Sequence, residues 1–241
     1  MFRFPGTRRT HAIAGSVALA AATLVGSFTG ATPASADQAP RDPVLFVHGF
    51  TRSSADFAAF KQSFVDAGYS PGQLFTIDYN SFAPNAYTAT LIQARVDQIL
   101  AETGKKYVDI VAHSMGAYGT RYFLAYLGGQ AKVDGFVSIA GPNHGTLAAY
   151  SPDCQAIPSC AEMVPGSAFL NSVNLPDETP NAAKTRYFTI RTEGDDLVYP
   201  SISTELDGAV NWVHPNTSLT HMQVAVDPLA IDQARIFIRN S

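Results

Sequence analysis

The residues best suited to chemistry lie in one short stretch, Ala112-His113-Ser114-Met115-Gly116. A serine set among small residues, after an apolar run and before a helical pattern, fits a tight strand-to-helix turn that holds its hydroxyl clear of the backbone. The following helix supplies unpaired N–H groups and the positive end of its dipole beneath the serine. A free hydroxyl is a weak nucleophile, so such a turn does chemistry only with a base and an acid that orients the base. As a bare pattern, small-x-Ser-x-Gly is weak, and an incidental serine in a small-residue turn is the ordinary alternative. The strand–turn–helix setting favours nucleophilic catalysis by Ser114.

Six histidines compete for the role of base: His11, His48, His113, His144, His214 and His221. In hydrolases with the serine on a strand-to-helix turn, the chain order is serine, acid, histidine. Only His214 and His221 come late enough. His221, in the loop before the last helical pattern, is the first choice, and His214, before a proline at a strand end, is the second. His48, His113 and His144 suit packing around loops and the turn. The acid is expected after the fifth strand, where Glu193-Gly194-Asp195-Asp196-Leu197-Val198 offers three carboxylates. Asp195 is preferred, with Asp196 next; Glu193 and Asp78 are further candidates. Acyl transfer also needs donors aimed at a developing oxyanion. The backbone N–H of Met115, next after the serine, and that of Phe50, in His48-Gly49-Phe50, hold the right places in the chain.

The elements that must position these groups alternate between strand and helix. Pro43–Val47, Leu74–Ile77, Val108–Ala112, Val133–Ala140 and Tyr187–Arg191 are short apolar runs bounded by turn signals, as in strands buried on both faces. Ala209–Val213 is a candidate sixth. Between them, Phe57, Phe60 and Phe64 recur at helical spacing behind Ser53 and Ser54 as caps. Ile92, Val96, Ile99 and Leu100 form a second stripe that stops at Gly104, and Met115–Leu127 continues from the serine turn. Asp227-Pro228 opens a last helix with Ile231, Ala234 and Ile238 on its inner face. The expected class is α/β, a mostly parallel sheet with helices on both faces and no large cap domain.

Residues 145–184 break the alternation, and a connection of that length is functional or disordered. It holds both cysteines, Cys154 and Cys160, with five residues between them. In an oxidising compartment such a pair reads as a disulfide, which argues for order. Ala168, Phe169 and Val173 are expected to present a fixed apolar surface to the substrate. The first 36 residues combine a basic start (Arg3, Arg8, Arg9), an apolar run from Ala12 to Val25 and an Ala34-Ser35-Ala36 site, the pattern of a secretory signal peptide. The run is shorter than the roughly 20 residues that span a bilayer. Residues 37–241 then form one domain, and losing three of the 16 basic residues leaves 13 against 20 acidic ones. No basic block suggests nucleic-acid binding. No HExxH or close His/Asp pairing suggests a metal, and no cofactor is expected.

With these residues in view, the chain resembles the small secreted bacterial lipases of the α/β-hydrolase type, the class 2 lipases. The matching stretches are Pro43–Phe50, Val108–Gly116, Gly141-Pro142-Asn143-His144-Gly145-Thr146, Gly194-Asp195 and His221. Ala112 in place of the first glycine of the commoner signature is usual in these lipases. The resemblance implies carboxylic ester hydrolysis by Ser114, His221 and Asp195, with Phe50 and Met115 at the oxyanion positions. It also implies a monomer acting on lipid or small esters, at an oil–water interface or in solution, outside the cell and without membrane insertion. A short-chain or cutin-type esterase uses the same groups, and a binding protein on an inactive hydrolase fold is the reading from another class.

Overall fold

A computed structural model describes residues 41–239. The amino-terminal export signal expected from the sequence lies outside the described residues. Six parallel strands, β1 (Val44–Val47), β2 (Leu74–Ile77), β3 (Val108–His113), β4 (Val133–Ile139), β5 (Arg186–Arg191) and β6 (Val210–Val213), form one sheet in the order β2-β1-β3-β4-β5-β6. The chain runs outward from β1 in one direction to β2 and in the other to β3. The strand order therefore reverses between β1 and β3, and crevices open outside the carboxyl ends of strands at such a point.

Neighbouring residues of a strand face opposite sides of a sheet, and both sides here are apolar. On one face Val44, Phe46, Val111, Val137 and Ile190 pack under α1 (Ala58–Asp66) and α8 (Pro228–Arg239), joined by Phe60, Phe64, Ile231, Ala234 and Ile238. On the other, Leu45, Val47, Ile110, Ala112 and Phe136 lie under α2 (Asn85–Thr103) and α3 (Gly116–Tyr126), which contribute Ile92, Val96, Ile99 and Phe123. Each fully buried Phe, Ile or Leu stabilises by about 1.5–3 kcal/mol relative to exposure, so the two layers fix the sheet and its strand ends together.

Two details differ from the sequence expectation. Ser53 and Ser54 do not cap α1: a short 3-10 turn, Ser54–Phe57, precedes it, and Ser54 gives its N–H and hydroxyl to the Asp78 carboxylate at 2.7 Å each. The stretch 145–184 is a set of small helices, α4 (Pro152–Gln155), α5 (Pro158–Ala161) and α6 (Ala168–Asn174), each too short to show a hydrophobic period. Arg121 on α3 ties this stretch down. Its buried guanidinium donates to the carbonyls of Asn143 (3.2 Å), Val173 (3.0 Å) and Glu178 (3.3 Å), and desolvation pushes its pKa down to about 10. The last small helix, α7 (His221–Val224), is opened by a Thr220–Gln223 capping box.

Candidate active site

Ser114 takes φ +55, a left-handed conformation that a serine adopts only where its surroundings force it. The turn is possible because its neighbours have no side chains in the way. A Cβ on Gly116 would lie 2.5 Å from the His48 carbonyl oxygen, and one on Gly49 would lie 2.8 Å from the Ser114 Cβ. The register of the sheet makes this approach close, since Val47 and Ala112 are paired at the ends of β1 and β3. The loop after β1 is thereby pressed against the serine turn.

His221 begins α7, and its ring fills the space between the serine and the loop after β5. Ser114 Oγ donates to His221 Nε2 at 2.8 Å, and His221 Nδ1 donates to Asp195 at 2.9 and 3.1 Å. Asp195 is itself fixed, accepting the N–H groups of Leu197 (2.9 Å) and Val198 (2.7 Å) on Oδ1. The aspartate and the imidazole are buried, whereas Ser114 is partly exposed. The serine hydroxyl thus ends an otherwise enclosed line of hydrogen bonds.

The other candidates are engaged elsewhere. Asp196 accepts the backbone N–H of His221 at 3.0 Å and so positions the main chain at His221. Glu193 is held by Arg191 (2.6 Å) and Ser201 (2.9 Å), and the guanidinium keeps its carboxyl below the usual range. Asp78 serves Ser54. His214 gives Nε2–H to Asp227 at 2.9 Å and accepts the Asn216 N–H on Nδ1 at 3.0 Å, so both its nitrogens are used. His144 pairs with Glu178 at 2.6 Å, which raises its pKa. His48 stacks on Tyr79, with centroids 4.2 Å apart.

His113 packs closer to the chemistry than its place in the motif implied. Its ring lies 4.8 Å from that of His221, and its Nε2 is 3.4 Å from the His221 carbonyl oxygen. Burial, and then the neighbouring His221, push its pKa down to about 3, so it is neutral. The enclosed space behind His221 thus holds an uncharged ring, and the motif by itself carried no signal of that.

A cleft of about 380 Å³ opens over Ser114, within the range of small-molecule sites. Its floor holds Ser114 and His221, and Phe50 stands at one side. A further part of the wall is Ala148, Ala149, Cys154, Cys160 and Met163. Cys154 and Cys160 form a disulfide. The expected apolar surface of Ala168, Phe169 and Val173 is not part of this wall. Phe169 and Val173 pack inward with Met115 and with Tyr118 of α3, and Ala168 is exposed, because α6 lies along α3 behind the cleft. Among the described residues, no backbone or side-chain acceptor takes the N–H of Phe50 or of Met115. Also among them, no three His, Cys, Asp or Glu side chains are grouped to hold a metal ion, and no helix is long and apolar enough to cross a membrane.

The sequence profile described as Lipase (class 2) matches residues 41–234. The fold is similar to the crystal structure of the Bacillus licheniformis lipase BlEst2 in mature form, with TM-score 0.71 and 17% identity over 86% of this chain and 95% of that one. It is also similar to that of Aspergillus fumigatus lipase B, with TM-score 0.66 and 20% identity over 79% of this chain and 51% of that one. At these identities the two likenesses establish the α/β-hydrolase fold.

Proposed function

The chain belongs to the class 2 lipase family, a lipase/esterase-type hydrolase of the α/β-hydrolase fold, and from that premise we propose that it is a serine carboxylic ester hydrolase acting on triacylglycerols. The observation that carries the reading is the unbroken line Ser114 Oγ–His221 Nε2 and His221 Nδ1–Asp195, at 2.8 and 2.9 Å. Ser114 Oγ attacks the ester carbonyl carbon as its proton passes to His221 Nε2. The imidazolium that forms is held by Asp195, which also fixes the tautomer with its lone pair on Nε2. The carbonyl oxygen becomes an oxyanion and takes hydrogen bonds from the Phe50 and Met115 N–H groups. His221 then gives its proton to the departing alkoxide, leaving an acyl ester on Ser114. Water repeats the sequence, releasing the acid and restoring the hydroxyl.

Export is part of the proposal. The three-part pattern of residues 1–36 and the disulfide both suit a protein that matures in an oxidising compartment.

The test is hydrolysis of nitrophenyl esters and of a triolein emulsion by the purified protein and by Ser114→Ala. The substitution removes one partly exposed hydroxyl and leaves the unfolding temperature close to that of the wild type. It lowers turnover by roughly 10⁴–10⁶-fold, as loss of such a nucleophile does. Retention of even a tenth of the activity contradicts the assignment, and activity on nitrophenyl butyrate without any on triolein makes the protein a short-chain esterase.

A further inference from the structure

The two halves of the cleft wall made by α4, α5 and Met163 are held in different ways. The half formed by α5 and Met163 is clamped by Ser81, in the loop before α2, and by Asn85, the first residue of α2. Ser159 Oγ donates to the Ser81 carbonyl at 2.6 Å, and Asn85 gives its N–H (2.8 Å) and Nδ2 (2.7 Å) to the Glu162 carboxylate. Asn85 and Ser159 are fully buried. The half formed by α4 has no such clamp. Its hydrogen bonds are local: Ser151 Oγ accepts the Cys154 N–H, and Gln155 Nε2 donates to the Tyr150 carbonyl. Besides the short link Ala156-Ile157 and the Ile157 N–H bond to the Cys154 carbonyl at 3.0 Å, α4 is joined to the clamped half by the Cys154–Cys160 disulfide, and both cysteines line the cleft over Ser114.

We propose that the Cys154–Cys160 bridge is the acyl-specificity element of the enzyme: it holds α4 against the clamped α5 and so limits the length of acyl chain that the cleft accepts. The proposal rests on the ester-hydrolase reading above. A four-residue helix has no stability of its own and keeps its place only through what it is tied to. With the bridge intact, α4 stands as a fixed edge of a cleft of about 380 Å³, and a longer acyl chain has to lie against that edge. With the bridge cut, α4 yields to a longer chain, while Thr146 and Leu147 stay tied to Met163, Leu197 and Tyr199 and the α5 half and the Ser114–His221–Asp195 line keep their own hydrogen bonds. Selectivity, rather than turnover of all esters alike, is therefore what the bridge controls.

The experiment measures kcat/KM on nitrophenyl butyrate and nitrophenyl laurate for the bridged protein, for the same protein reduced with a phosphine, and for the double variant C154S/C160S, with Tm recorded for each. The reduced protein does not depend on the variant folding without its bridge. The expected result is a laurate-to-butyrate ratio that rises by about tenfold or more when the bridge is cut, the scale on which apolar pockets discriminate chain length. An unchanged or lower ratio, whatever happens to Tm, makes the bridge a matter of stability alone and overturns the proposal. If the bridged protein hydrolyses neither ester in a Ser114-dependent way, the ester-hydrolase reading itself fails, and that outcome is recognised before any bridge is cut.

Discussion

His214 and His221 are both buried, and each lies 2.9 Å from an aspartate, yet they are built for different purposes. His214 spends Nε2 on Asp227 and Nδ1 on the Asn216 N–H, and Asp227 in turn caps α8 by accepting the N–H groups of Leu229 and Ala230. That pair is a rivet between the end of β6 and the last helix. His221 gives Nδ1 to Asp195 and keeps Nε2 for a hydroxyl at the floor of an open cleft. A buried histidine with an acid partner is therefore not enough to make a base. What distinguishes one is the free nitrogen and a proton donor within hydrogen-bond reach of it.

The largest effects separate the two histidines. His221→Ala lowers kcat by about 10⁶-fold, since in such sites the loss of the base costs about as much as the loss of all three groups. His214→Ala leaves kcat of the folded protein within a few-fold. It removes partners from the N–H of Asn216, an exposed residue, and from the partly exposed Asp227 carboxylate, both of which water can reach, so the cost is about 1 kcal/mol, read as a fall in Tm. Comparable losses of kcat in the two variants would erase the distinction.

The two aspartates extend the comparison at a smaller scale. Asp195→Asn lowers kcat by about 10⁴-fold, because the amide no longer holds the tautomer that leaves Nε2 free. Asp227→Ala acts on stability alone, through the lost cap, at about 1 kcal/mol or somewhat more. Asp196→Asn keeps an oxygen to accept the His221 N–H and costs less than tenfold in kcat. If Asp196→Asn proves as damaging as Asp195→Asn, Asp195 is not the orienting acid.

A third buried histidine sharpens the contrast through pH. The folded pKa of His113 is depressed to about 3 from an ordinary 6.5. Between those values the unfolded chain binds a proton that the folded chain refuses. The contribution to stability is thus complete above pH 6.5 and is lost progressively as the pH falls toward 3. In His113→Gln this proton uptake is gone, and Tm declines less steeply from pH 6.5 to pH 4 than in the wild type. Parallel curves would mean that His113 is not held neutral behind His221.

The smallest effect concerns the cleft. Ser114 is partly exposed beside a wall clamped by Asn85, Ser159 and Glu162, so no segment has to move for a substrate to enter. The rate on tributyrin is expected to saturate smoothly through its solubility limit, and a sharp rise at the limit would show that the 145–184 stretch opens as a lid.

Much of this was legible because its signals are local. The inner strands β1, β3, β4 and β5 announce themselves as apolar runs buried on both faces, unlike the more exposed edge strands β2 and β6, and α1, α2 and α8 as stripes of Phe or Ile at helical spacing. Gly49 and Gly116 mark the serine turn because no side chain fits there. The cleft wall was not legible for the opposite reason. Helices of four to seven residues carry no period, so nothing in the sequence said that Phe169 and Val173 would turn toward α3 while Ala149, Cys160 and Met163 line the cleft over Ser114. The Asn85–Glu162 clamp and the Arg121 anchor join residues far apart in the chain, and only the fold brings them together.

The central claim is that Ser114 is the nucleophile that His221 activates. Its most direct measurement is the mass of the intact protein and of its peptides after exposure to a fluorophosphonate, which reacts covalently with an activated serine. The account predicts one adduct per chain, located on Ser114, absent in Ser114→Ala and formed orders of magnitude more slowly in His221→Ala but not in His214→Ala. No adduct on the folded protein, or an adduct on another residue, would contradict it.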